Sequence, residues 1–202
     1  MLPEGRTLRD IMTPDQLEIV HAALALNGYP TWRGIQVAPW LLRMSLSANT
    51  QDSGITAQDG LDLYFYHKAE SRGMEQRALE SVEEQIGYFA DVPLEEQVEL
   101  LIHTVENPEP PDAAATVYSV WRSGDEQALY RLMLAEYTGP AAVQAEYDRI
   151  FIERNRSFAQ RIAAMMENEH VLFVVVGAGH LVGDESVQEL LVEAGATYRR
   201  LQ

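Results

Sequence analysis

Val171-Leu172-Phe173-Val174-Val175-Val176 runs directly into Gly177-Ala178-Gly179-His180-Leu181-Val182-Gly183, and the reading of this stretch decides the fold. Six consecutive apolar residues, rich in β-branched side chains, read as a strand covered on both faces. A glycine-rich turn at the C-terminal end of such a strand is where open α/β sheets place their ligands. Two weaker segments, 75–80 and 197–201, read as further strands. The expectation is an α/β (α+β), helix-rich fold with a small central sheet, strands near 75–80, 171–176 and 197–201, and a large helical insert. A strand such as 171–176 needs paired neighbours on both edges, and few candidates exist here. Either a partner chain supplies further sheet, or the sequence lacks strands that its relatives have.

Helix signals fill the rest of the chain. Thr13-Pro14-Asp15-Gln16 is a capping-box pattern with proline at the first helical position, and the run after it stops at Asn27-Gly28. Residues 35–46 are apolar and helical, with Pro39 near the first turn. Residues 49–60 read as a loop and 61–69 as a short helix closed by Arg72-Gly73. Ser81-Val82-Glu83-Glu84 is a second capping box, and Pro93 opens another helix. Asn107-Pro108-Glu109-Pro110-Pro111 cannot continue a helix and marks a surface crossing. Gly124-Asp125 splits the helical region that follows. Gly139-Pro140 begins the longest helix, expected to reach about Asn168, and 184–194 is a further helix closed by Gly195.

Composition narrows the function. The 202 residues are 47% hydrophobic and 23% charged, an ordinary globular balance. There is no cysteine, which removes disulfides, thiol catalysis and zinc-finger sites. Fifteen Lys and Arg against 31 Asp and Glu give a net charge of −16, which argues against nucleic acid and anionic lipid as partners. No apolar run reaches the roughly 20 residues of a membrane helix. The start, MLPEGRTLRD, has no apolar core of a signal peptide.

The 177–183 loop has G-x-G-x-x-x-G spacing, but no second βαβ half or acidic partner accompanies it, so its glycines read as a tight turn. His180 stands out by position, either as a group facing a ligand or as a histidine bonding a nearby carbonyl. His21, His67, His103 and His170 read as surface residues, and no H-x-x-x-H or H-E-x-x-H pair occurs. Glu80 precedes a helix and can serve its dipole or a site. In Glu153-Arg154-Asn155, asparagine opposes helix propensity; the stretch reads as a solvated polar stripe or as residues kept for a side-chain contact.

In order along the chain, Leu2-Pro3-Glu4-Gly5 with Thr7-Leu8, Pro39-Trp40, Gly60-Leu61-Asp62 with Ala69, Leu79-Glu80 with Glu84-Gln85, Trp121 with Gly124-Asp125, Arg154-Asn155, and Gly177-x-x-His180-Leu181-x-Gly183 resemble the motifs of the TraB/PrgY/GumN (Tiki-like) family. The resemblance covers what would be the C-terminal two-thirds of a family domain, so residues 1–202 read as one domain, incomplete on its N-terminal side. Members carry two G-x-x-H motifs, and the first has no counterpart here. The resemblance implies a metal-dependent hydrolase, a peptidase, with His180, Glu80 and Arg154 at the site. His180 and Glu80 would be ligands of Mn²⁺, Co²⁺ or Zn²⁺, His180 or Glu80 could act as base, and Arg154 would hold a carboxylate or oxyanion. One histidine and one carboxylate fall short of the three protein ligands usual at a catalytic metal. The alternatives are a non-catalytic module that binds a peptide or small molecule, and a degenerate homodimeric assembly protein. The resemblance favours the cell envelope or periplasm.

Overall fold

The computed structural model describes residues 1–2, 5–30, 35–49, 60–168 and 171–201. Pro3 and Glu4 of the first motif, His170 and most of the 49–60 loop lie outside them. Among the described residues there are helices and turns but no strand. The sheet expected from 75–80, 171–176 and 197–201 is therefore corrected: none of the three pairs with another. β-Branched composition favours an extended segment, but a strand exists only when a neighbour takes its backbone groups. Here the segments are held instead by single side-chain bonds and by packing on helices. Arg161 donates to the Leu79 carbonyl, and Leu79 and Val176 pack beside Phe158 and Ile162. In the last segment Tyr198 donates from its hydroxyl to Glu189 (2.7 Å), and Arg200 donates to the Gly124 carbonyl (2.6 Å).

The chain divides into two compact units. The first comprises Met1–Gly54 and Gln85–Ala114. It contains a 3₁₀ turn at Leu8–Asp10, α1 (Pro14–Leu26), α2 (Pro39–Asn49) and α5 (Leu94–Glu106), as well as most of α4 (Val82–Ala90). The capping box at Thr13 is present: Gln16 N–H donates to Thr13 Oγ1 (3.3 Å) and Thr13 N–H to Gln16 Oε1 (2.9 Å). α5 packs against α1 and α2, enclosing Leu8, Val20, Leu24, Leu42, Leu46, Val98 and Leu101. Pro39 is fully buried, and the Trp40 ring stacks near Phe89 at 6.4 Å. The Trp40 N–H, one of those a helix start leaves without a partner, donates to buried Gln97 (3.4 Å).

The second unit comprises Ile55–Glu84 and Ala115–Gln202. It holds α3 (Leu61–Ser71), most of α6 (Ala113–Ser123), α7 (Glu126–Glu136), α8 (Ala141–Tyr147), α9 (Arg154–Met166) and α10 (Val187–Glu193). Asp125 caps α7 through a bond from Ala128 N–H (2.9 Å), which accounts for the break at Gly124-Asp125. The long helix expected after Pro140 forms, but a π-helical stretch at Asp148–Glu153 interrupts it. α10 begins later than expected, at Val187, because 184–186 form a turn. α9 and α10 pack through Phe158, Ile162 and Val187.

Candidate functional site

The π-helical stretch sets the register of the candidate site. Single π turns inside α-helices recur at functional positions because they re-aim the side chains that follow. Here they precede Arg154 and Asn155, which open α9. The Arg154 guanidinium takes both oxygens of Glu80: Nε donates to Oε2 at 3.0 Å and Nη2 to Oε1 at 2.6 Å. Nη1 donates to the Ile150 carbonyl within the π stretch (3.3 Å). Both side chains are mostly buried, at 14% and 13% exposure. Two turns further along α9, Arg161 pairs with Glu84 in the same bidentate manner. Thus 79–84 is fastened to one face of α9 by two guanidinium forks.

His180 lies in a 3₁₀ turn, Ala178–Leu181, and its N–H donates to the Gly177 carbonyl (2.9 Å). Its ring is buried between Phe151 and Phe158, with centroids 5.4 and 5.2 Å away. Nδ1 lies 2.6 Å from Asn155 Oδ1, within hydrogen-bond reach, and Asn155 Nδ2 donates to the Glu185 carbonyl at 2.7 Å. Burial, reinforced by the Arg154 charge, brings the imidazole down to about 4, so it is neutral at pH 7. The Tyr147 phenol nearby in the unit is pushed up, chiefly by burial and then by its hydrogen bond with Tyr130.

The glycines divide into two kinds. A Cβ on Gly179 would lie 2.7 Å from Phe151 Cε1 and 3.1 Å from Met133 Sδ. Gly183 has φ +87°, and a Cβ there would lie 2.5 Å from Tyr130 Cε2. Both positions are closed to a side chain. Gly177 is open, since its Cβ would meet only His180 Cδ2, at an ordinary 3.8 Å.

The three residues singled out in the sequence thus gather in one unit. Glu80 and Arg154 bond directly, and Arg154 lies over the Phe158 ring (5.3 Å) that also packs on His180. Among the remaining histidines, His67 is exposed while His21 and His103 are half-buried. The sequence reading offered Asn155 as a residue kept for a side-chain contact, which it is, but did not name His180 as the partner. Its signal was an asparagine placed mid-helix against propensity. It also missed Arg161, seven residues after Arg154 and hence on the same helix face.

A divalent metal would need several donors at one point. His180 could supply one nitrogen. Both oxygens of Glu80 are held by Arg154, and among the described residues no three His, Asp or Glu side chains gather where an ion could bind. About three protein ligands are usual at a catalytic metal, so the residues described here do not fit a complete centre.

The architecture and site define a helical protein with a buried histidine–asparagine pair beside a guanidinium–carboxylate fork. The model of the TraB/PrgY/gumN family matches residues 1–200, and the chain belongs to that family. No curated protein and no solved structure matches it. No described helix is long and apolar enough to cross a membrane.

Proposed function

We propose that this TraB/PrgY/gumN-family protein is a binding module that holds a peptide or small molecule at His180, beside the Arg154–Glu80 fork. The observation that carries this reading is the closed fork. With both carboxylate oxygens engaged, Glu80 is unsuited to act as a metal ligand or general base in this arrangement, while the neutral His180 ring keeps one nitrogen outside the Asn155 bond. An open Gly177 next to that ring lets a ligand backbone approach closely. The test is titration of the protein with a library of short unstructured peptides, by calorimetry and peptide mass analysis together. Binding that His180→Ala abolishes, without cleavage, supports the reading. Binding that survives His180→Ala refutes it at this site.

The metal-dependent peptidase implied by the sequence motifs is the second reading. It is favoured by one observation, since a metal-binding histidine is oriented by a hydrogen bond on its other ring nitrogen, the place Asn155 takes at His180. It requires Mn²⁺, Co²⁺ or Zn²⁺ to bind in a manner that His180→Ala weakens, and peptides to be cleaved only with the metal present. Cleavage of that kind replaces the binding-module reading.

A further inference from the structure

The two ends of the Asn155 side chain are distinguishable by their partners. The Glu185 carbonyl can only accept, so the amide group 2.7 Å from it is the NH₂. The opposite end, 2.6 Å from His180 Nδ1, is therefore the oxygen, which also can only accept. A hydrogen bond between that oxygen and Nδ1 exists only if Nδ1 carries the proton. A neutral imidazole has one N–H, which leaves the lone pair on Nε2.

Both side chains are buried, Asn155 at 2% and His180 at 7% exposure, so water does not compete readily for either bond. The Glu185 carbonyl is fixed in its turn: it sits one residue before Ser186, whose N–H donates to Gly183 at 3.2 Å, and α10 follows directly. The chain of dependence runs from the turn at 183–186, through one anchored amide, to one nitrogen of the histidine.

We propose that Asn155 is a positioning residue that locks His180 as the Nδ1–H tautomer, so that Nε2 is the hydrogen-bond acceptor offered to a ligand. This deepens the binding-module reading and rests on its choice of His180 as the working group. It names the ligand chemistry: an N–H or O–H donor, such as a peptide amide or a hydroxyl, meets the ring, and a carboxylate does not.

The experiment is long-range ¹H–¹⁵N correlation of the histidine rings in the full chain at neutral pH, with His180 assigned by its loss in His180→Gln. The expected result is a single tautomer, protonated at Nδ1, in the wild type, and a mixture of both tautomers in Asn155→Ala. An Nε2–H ring in the wild type overturns the proposal, whatever the variant does. So does a folded Asn155→Ala that keeps the pure Nδ1–H form. If Asn155→Ala does not fold, Asn155→Asp substitutes: it keeps an acceptor for Nδ1–H but loses the donor to Glu185, the proposal expects Nδ1 to stay protonated, and a ring protonated only at Nε2 overturns it. The outcome is separable from the function. A correct tautomer with peptide binding unaffected by His180→Ala removes the binding reading and leaves the role of Asn155 intact.

Discussion

Segments 79–84 and 171–176 carry opposite signals in sequence and meet opposite fates in structure. The first is polar and reads as the end of a weak strand, 75–80, followed by a capping box at 81–84, yet it is fastened to α9 by Arg154 and Arg161. The second is apolar throughout and gives the strongest strand signal in the chain, yet much of it faces solvent: Val171 is 87% exposed and Phe173 66%. Hydrophobicity says that a segment wants cover; it does not say what provides the cover. Directional bonds to a side chain on a firm helix fix a segment more reliably than an apolar run that no strand pairs.

The largest expected effect comes from opening the inner fork. Arg154→Met leaves Glu80 charged, mostly buried and unpaired, a change that costs about 3 kcal/mol in comparable pairs. Arg161→Met removes a pair that is 40% and 44% exposed and should cost about 0.5 kcal/mol. Urea unfolding of both variants measures the contrast. Equal losses would mean that the two forks act as one clamp and that burial does not distinguish them. Adding Glu80→Gln to Arg154→Met should recover most of the loss, since the stranded charge is then gone.

Next come the glycines around His180. Gly179→Ala drives a methyl into Phe151 and should cost about 2 kcal/mol, as overpacking commonly does. Gly177→Ala meets nothing closer than 3.8 Å and should leave thermal stability within about 0.5 kcal/mol of wild type. It should nevertheless weaken peptide binding at His180. A Gly177→Ala protein that is as stable as wild type and binds equally well would show that ligands do not approach from that side.

Acid separates the outer fork on 79–84 from the histidine that follows 171–176. His180 titrates near its ordinary 6.5 when unfolded and at about 4 when folded, so between these values the unfolded chain binds the extra proton. Stability held above pH 6.5 is thus lost as pH falls towards 4, by one to about 2 kcal/mol after allowance for solvent screening. Arg161 lowers Glu84 from 4.5 to about 2, so the outer fork weakens only below pH 4.5. Stability measured against pH should show the upper limb in wild type and not in His180→Gln. An upper limb that persists in that variant assigns it to another group.

How much of this was legible follows from the range of the interactions involved. The capping boxes at Thr13 and Ser81, the stop at Gly28 and the break at Gly124-Asp125 are local bonds over three or four residues, and the sequence spells them out. The gathering of Glu80, Arg154 and His180 was readable only through motif order, because 74 residues separate the first two. The Asn155–His180 bond left only the trace of an asparagine in the wrong place. The sheet was misread for a different reason: pairing belongs to two segments at once, and 171–176 describes only one of them.

The smallest expected effect tests the exposed run itself. If 171–176 is held only by what it touches, each residue should matter in proportion to its contact. Val171 faces solvent, so Val171→Thr should change stability by less than about 0.5 kcal/mol. Val176 packs against the cluster of Phe158, Ile162 and Val187, so Val176→Ala should cost about 1 kcal/mol. Amide hydrogen exchange gives the companion measurement. Backbone N–H groups outside any ladder should exchange far faster in 171–176 than those inside α9 around Phe158 and Ile162. Slow exchange across 171–176 in solution would mean that its edges are paired after all, and the run would then rank with 79–84 as a fixed segment.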